Sequence, residues 1–156
     1  MPRHLIVAHD TATSPTLIEQ VQEVAQNEPG TEFVLLVPAT PVAELKLLRA
    51  LADDATTTAK HQADAARTAF AAAGIELLDA RVGAADPLEA IADEVRRSPG
   101  YGAFIISSLP EEHSRWLRAD LPRRVEQEYG LPVITVELAP TAFEFWRRRA
   151  GWGRAV

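Results

Sequence analysis

The chain contains no cysteine. That removes disulfides, thiol catalysis and cysteine-ligated zinc together, and it agrees with a reducing compartment, so a cytoplasmic location is expected. Long apolar runs are missing too. From Met1-Pro2-Arg3-His4 the chain enters an apolar stretch that ends at Val7-Ala8, too short for a signal-peptide core or a membrane span. Stable membrane insertion is not expected. Positive charge is in deficit, with 16 Lys and Arg against 22 Asp and Glu and a formal net charge of −6. Affinity for phosphate backbones comes from clustered Lys and Arg, so nucleic acid is not an expected partner.

Catalytic motifs are also lacking. The 8 glycines form no Gly-x-Ser-x-Gly elbow, no Gly-x4-Gly-Lys-Ser/Thr loop and no Gly-x-Gly-x-x-Gly turn after the first apolar run. His4, His9, His61 and His113 are scattered without metal-ligand spacing, and no metal site is expected. The carboxylate pairs Asp53-Asp54 and Glu111-Glu112 read as solvated loop charges. No enzyme activity is expected from this set.

What is present is an alternation. Five short apolar runs are separated by helix-length segments, the pattern of βαβ units around a parallel sheet buried on both faces. Strands are expected over 5–8, 32–37, 75–82, 103–106 and 132–136. Leu17, Val21, Val24 and Ala25 recur at helical spacing behind Ser14-Pro15, an N-cap followed by a first-turn proline. From 41 to 73 the pattern is helical, with an interruption expected near 52–58, where Asp-Asp and a threonine run follow Leu45, Leu48 and Leu51. Beyond it, Ala59, Ala63, Ala66 and Phe70 form a packing stripe that ends at Gly74, a favoured helix-terminating residue. Asp86-Pro87 and Asp120-Leu121-Pro122 each read as a capping carboxylate opening a helix. A chain of 156 residues fits one domain, and no linker or repeat divides it.

In open parallel sheets ligands sit outside the carboxyl ends of the strands. Those ends are His9-Asp10, Val37-Pro38-Ala39, Gly83-Ala84 and Ser107-Ser108. Asp10 could accept hydrogen bonds from an amine or hydroxyl, and Ser107 and Ser108 could donate to an anion. Their alternative use is to satisfy loop and helix-end amides. Arg115, Arg118, Arg123 and Arg124 either recruit a phosphate or carboxylate or form a solvated face with Glu111, Glu112, Glu126 and Glu128. Trp116 either packs on the sheet or stacks on a base.

The strand–helix order, Asp10 after the first strand, Val82-Gly83 before Asp86-Pro87, and the stretch from Ile105 to Val136 together resemble the universal stress protein family, over residues 3–137. The resemblance implies a three-layer αβα sandwich, of the adenine nucleotide alpha hydrolase-like type, with a five-stranded parallel sheet in the order 3-2-1-4-5. It also implies a homodimer and, in some members, bound ATP or another adenine nucleotide. Transferred to this chain, the candidate ligand residues are Asp10, Val37, Pro38, Gly83, Ser107, Ser108, Arg115, Arg118 and Asp120. In the family a Gly-x2-Gly-x9-Gly-Ser/Thr motif after the fourth strand surrounds the phosphates. Here Ser107-Ser108-Leu109-Pro110 stands at its start and Ala119-Asp120 at its end, so all three glycines are missing. Pro110 has no amide hydrogen to donate, and a carboxylate at Asp120 would occupy the helix terminus that attracts phosphate. The expected function is a regulatory or binding module that does not take ATP in the usual way and acts through dimerisation or partner binding. The alternative is an adenine-nucleotide sensor (ATP, AMP or cyclic AMP) with a rebuilt phosphate site.

Under that strand order the fifth strand is a sheet edge, and Val133, Ile134, Thr135 and Val136 carry no charge to block pairing, so a homodimer joined there is expected. Residues 138–156 form a separate tail. Phe143, Phe145, Trp146 and Trp152 alternate there with Arg147, Arg148, Arg149 and Arg154. Docking of this tail on the acidic body is expected, ahead of disorder and of membrane association.

Overall fold

The computed structural model describes residues 2–9, 11–39, 48–108 and 120–137, with 48–54 by their backbone. Their order is β1 (Arg3–Val7), α1 (Pro15–Asn27), β2 (Glu32–Pro38), α2 (Leu48–Ala72), β3 (Asp79–Gly83), α3 (Pro87–Arg97), β4 (Ala103–Ser108), α4 (Leu121–Tyr129) and β5 (Val133–Glu137). The sheet runs β3-β2-β1-β4-β5, with every neighbouring pair parallel. The expected αβα sandwich and its strand order are present.

Two apolar layers follow from the alternation of side chains along each strand. Ile6, Leu35, Val37 and Ile105 pack with Leu17 and Val21 of α1 and with Ala59, Ala63, Ala66 and Phe70 of α2. On the opposite face Leu5, Val7, Leu36, Phe104 and Ile106 pack with Ala90 and Ile91 of α3 and with Leu121 and Val125 of α4. Central strands buried on both faces account for the unbroken apolar runs in the sequence.

The helix starts differ. Ser14 and Asp86 lie in extended conformation and accept from the amides of Thr16 and Leu88 at 3.2 and 3.0 Å, each cap contributing about 1 kcal/mol. Asp120 departs from the expectation of a similar cap. It sits in the left-handed region at φ 57° and ψ 39°, its side chain accepts no capping bond, and its carboxylate lies 3.7 Å from Arg123. The Asp120 carboxylate therefore does not fill the α4 terminus.

The extents of the elements also differ from the expectation, by one or two residues at β1, β2 and β5 and more clearly at three places. No interruption occurs at 52–58, because α2 is continuous: Ala55 already belongs to the buried alanine stripe while Thr56, Thr57 and Thr58 face outward. Packing outweighs threonine's weak helix propensity. The third strand begins at Asp79 rather than at 75, since the amide of Ile75 bonds back to the Phe70 carbonyl at 2.9 Å and closes α2, with Gly74 at φ 83°. Ile75 and Leu77 are buried against α2 without joining the ladder. The fourth strand runs on through Ser107 and Ser108, which pair with Val136 and Glu137.

A charged network holds α3 to the sheet. Arg81 of β3 donates from Nη1 to both oxygens of Glu94 at 2.8 and 3.0 Å and from Nε to Asp79 at 2.7 Å. The Tyr101 hydroxyl donates to Glu94 at 2.7 Å, and Arg3 lies 4.6 Å over the Tyr101 ring. One turn away, α3 approaches β3 closely. A Cβ on Gly83 would stand 2.7 Å from Ala90 Cβ and 3.0 Å from Leu36 Cδ1. Gly83→Ala should therefore displace α3 and lower stability by about 1–3 kcal/mol, read by denaturant titration; an unchanged midpoint would show that the helix shifts freely.

Candidate functional site

The chain leaves β1 toward one layer through α1 and leaves β4 toward the other through α4. Between these two strands the connections diverge, and the carboxyl ends of strands at such a point are where open parallel sheets form a ligand crevice. His9 and Thr11 come from the β1 side. A short turn fixes them, with the amide of Ala12 donating to the His9 carbonyl at 3.1 Å and that of Ser14 to the Thr11 carbonyl at 3.0 Å. Thr11, 3% exposed, donates from Oγ1 to the Ser107 carbonyl at 3.3 Å. That bond ties the two lips of the crevice together.

Ser107 and Ser108 finish β4 at 0% and 3% exposure, and neither hydroxyl has a hydrogen-bond partner among the described residues. Strand alternation sends Ser107 to the side of Ile105 and α1, and Ser108 to the side of Ile106 and α4. Burying a hydroxyl without a partner costs about 1–3 kcal/mol, and buried polar groups in folded proteins are seldom left so. Two in succession at a switch point mark the place where a polar group from outside the described residues would fit.

Of the residues nominated from sequence, Ser107 and Ser108 therefore both stand at the carboxyl end of β4, on opposite faces of the sheet. Val37 lies in the α1–α2 layer with its side chain fully buried, and Pro38 pairs with Gly83 at the neighbouring strand ends. Gly83 is occupied by packing against Ala90. Asp120 stands at the start of α4. Asp10, Arg115 and Arg118 lie outside the described residues, as do Pro110 and the tail 138–156. Val133 and Ile134 are half-buried, Thr135 exposed and Val136 buried on β5, the outermost strand on its side. Sequence reasoning missed Thr11; its signal was a hydroxyl directly after the strand-end aspartate. Among the described residues no three His, Asp or Glu side chains gather into a metal site, and no helix is long and apolar enough to cross a membrane.

No family model and no curated protein matches the chain. A solved structure does: a universal stress protein family protein from Arabidopsis thaliana with AMP bound, at a TM-score of 0.58 and 12% identity, covering 91% of this chain and 97% of that one. The chain therefore has a universal stress protein-like fold.

Proposed function

We propose that this protein is a regulatory binding module of the universal stress protein type, not an enzyme, that takes a small polar ligand at the β1–β4 crevice. The observation that carries this reading is the pair of buried hydroxyls of Ser107 and Ser108 without partners among the described residues. Hydroxyls donate and accept, so they suit a ligand with hydroxyl, amide or phosphate oxygens; they supply no nucleophile activated by a bonded base. The module acts in the cytoplasm as a homodimer joined through the β5 edges, where Val133 to Val136 present an uncharged strand.

A second reading specifies an adenine nucleotide. The AMP in the Arabidopsis protein of like fold favours it. Ser107 and Ser108 would then hold the ligand's oxygens, in place of the amides that glycines expose after the fourth strand in the family. Pro110 in that stretch removes one donor outright, which favours a monophosphate over ATP.

Mass spectrometry of molecules released on denaturing the purified protein should show a retained small polar compound. Calorimetric titration with ATP, AMP and cyclic AMP separates the two readings. Micromolar binding of AMP establishes the second. Failure of all three nucleotides together with an empty protein removes the ligand and leaves a module that acts through protein contacts alone. Phosphate release from ATP above a buffer blank, in protein freed of contaminating ATPases, would overturn the assignment as a non-enzyme.

A further inference from the structure

We infer that the β3 edge of the sheet is guarded against strand addition by its ion-paired charges, which leaves β5 as the edge for a second copy of this chain. An edge strand presents a row of backbone donors and acceptors to any other strand, and folded proteins blunt such edges with short strands and with charged residues turned inward. Shortness is common to both edges, since β3 and β5 have five residues each; the inward charge is particular to β3, where Arg81 reaches the α3 side while Ala80 and Val82 pack on the α2 side. Arg81 reaches inward to the buried carboxylate of Glu94 at 2.8 Å, and Asp79 is clasped by Arg81 at 2.7 Å and by Arg67 of α2 at 3.1 Å.

The arrangement spans both layers. Arg67 approaches Asp79 from α2 and Glu94 holds Arg81 from α3, so the charges straddle the strand. A strand adding along β3 would have to displace or desolvate these ion pairs, whose charges need water or each other. β5 carries no charge from Val133 to Val136 and ends on the exposed Glu137. The two edges therefore differ in where charge sits, inside β3 and only at the end of β5, and among the described residues only β3 has its strand charges held by ion pairs from both layers. Pairing through one edge about a two-fold axis closes on itself, whereas two available edges would allow open chains of copies. This inference rests on the β5 pairing of the preceding section only for which edge remains open; the guarding of β3 stands without it.

The test replaces the guard by apolar residues of similar bulk: Asp79→Val, Arg81→Met and Glu94→Leu together. Replacing the three charged partners together leaves no uncompensated charge beside α3, which is tolerated far better than removal of one member, although Tyr101 loses its acceptor in either case. Leu78, more than half exposed immediately before β3, reports the contact as Leu78→Cys, because the chain has no thiol of its own. Carrying Leu78→Cys alone, the protein should sediment as the parent does and form little disulfide-linked dimer on mild oxidation. With the guard replaced it should gain a larger species as concentration rises, and at least a several-fold stronger cross-linked band. Equal sedimentation and equal cross-linking overturn the inference. Should the triple variant fail to fold, the exposed pair Arg67→Thr and Asp79→Thr decides in its place, with a smaller gain expected and an absent gain counting against the guard. A parent protein that is monomeric removes the β5 dimer; the guard is judged separately, by the gain over that parent.

Discussion

Glu94→Ala should lower the unfolding free energy by about 3 kcal/mol, the low end of what breaking a buried ion pair costs. The carboxylate is 3% exposed and serves two donors, Arg81 at 2.8 Å and Tyr101 at 2.7 Å. Truncation leaves a phenol without its acceptor and a guanidinium with only Asp79, inside the layer formed by α3 and the sheet. The low end applies because Arg81 keeps Asp79 and some solvent. For a domain of this length the loss corresponds to a fall in melting temperature of roughly 6–12 °C. A fall of less than about 1 kcal/mol, the level of an exposed pair, would mean that the network is a surface decoration. The same reasoning makes the energies non-additive. The triple apolar replacement that opens the β3 edge should be more stable than Glu94→Ala, although it changes three residues.

The network also sets the pH response. Burial first, then the hydrogen bond and charge of Glu94, push the Tyr101 phenol well above its ordinary value of 10.0. A raised folded-state pKa contributes stability in full below the unfolded value, and that stability is lost as pH rises toward the folded one. Stability should therefore fall above pH 10. Asp79 is shifted the other way, chiefly by the hydrogen bond from Arg81, to below its ordinary 3.8; its contribution is present above that value and disappears as pH falls through the lower one. Tyr101→Phe should cost stability at neutral pH and lose less than the parent in the alkaline range. Parallel alkaline losses in the two proteins would assign the effect to another group.

The sheet was legible because its central strands are buried on both faces, and continuous apolar runs such as Phe33 to Val37 follow directly from that. The strand order was legible only through the family resemblance, since parallel strands separated by crossovers carry no pairing signal of their own. The α2 interruption was misread because Asp53-Asp54 and the threonines weigh against a helix locally, while Ala55, Ala59, Ala63, Ala66 and Phe70 win by burial. The Glu94 network left a trace: a glutamate at helical spacing from Ala90 and Ile91, on the face that should be apolar, and an arginine inside a strand. Neither residue identifies its partner, because the two positions are 13 apart in sequence and meet only through the packing of α3 on β3. At the crevice the serines were legible as strand-end hydroxyls, and their burial was not, because it depends on β4 running two residues further than the apolar run suggests.

Ser107→Ala should raise the stability of the free protein while weakening its ligand. A serine hydroxyl that is buried and bonded makes a net favourable contribution, so its removal normally destabilises; a buried hydroxyl without a partner carries its desolvation cost uncompensated. Ser107 is 0% exposed and its hydroxyl has no partner among the described residues. Replacing it by a methyl side chain should therefore stabilise the free protein by about 1 kcal/mol, at the lower end of that cost because a little packing is lost with the oxygen. In the complex the sign reverses. The hydroxyl is then bonded to the ligand, and losing one such bond weakens affinity about tenfold, equivalent to 1.4 kcal/mol. Ser108→Ala should behave in the same sense from the opposite face of β4. Melting curves of the ligand-free variants and titration with the compound released from the parent protein read the two signs separately. A free Ser107→Ala protein that melts lower than the parent would show that the hydroxyl is satisfied within the chain, and the observation on which the ligand site rests would be gone. Stabilisation with unchanged affinity would leave the crevice strained for some purpose other than that ligand. Stabilisation of the free protein joined to weakened binding is the result that only a ligand-facing serine produces, because it requires the same hydroxyl to be a cost in one state and a bond in the other.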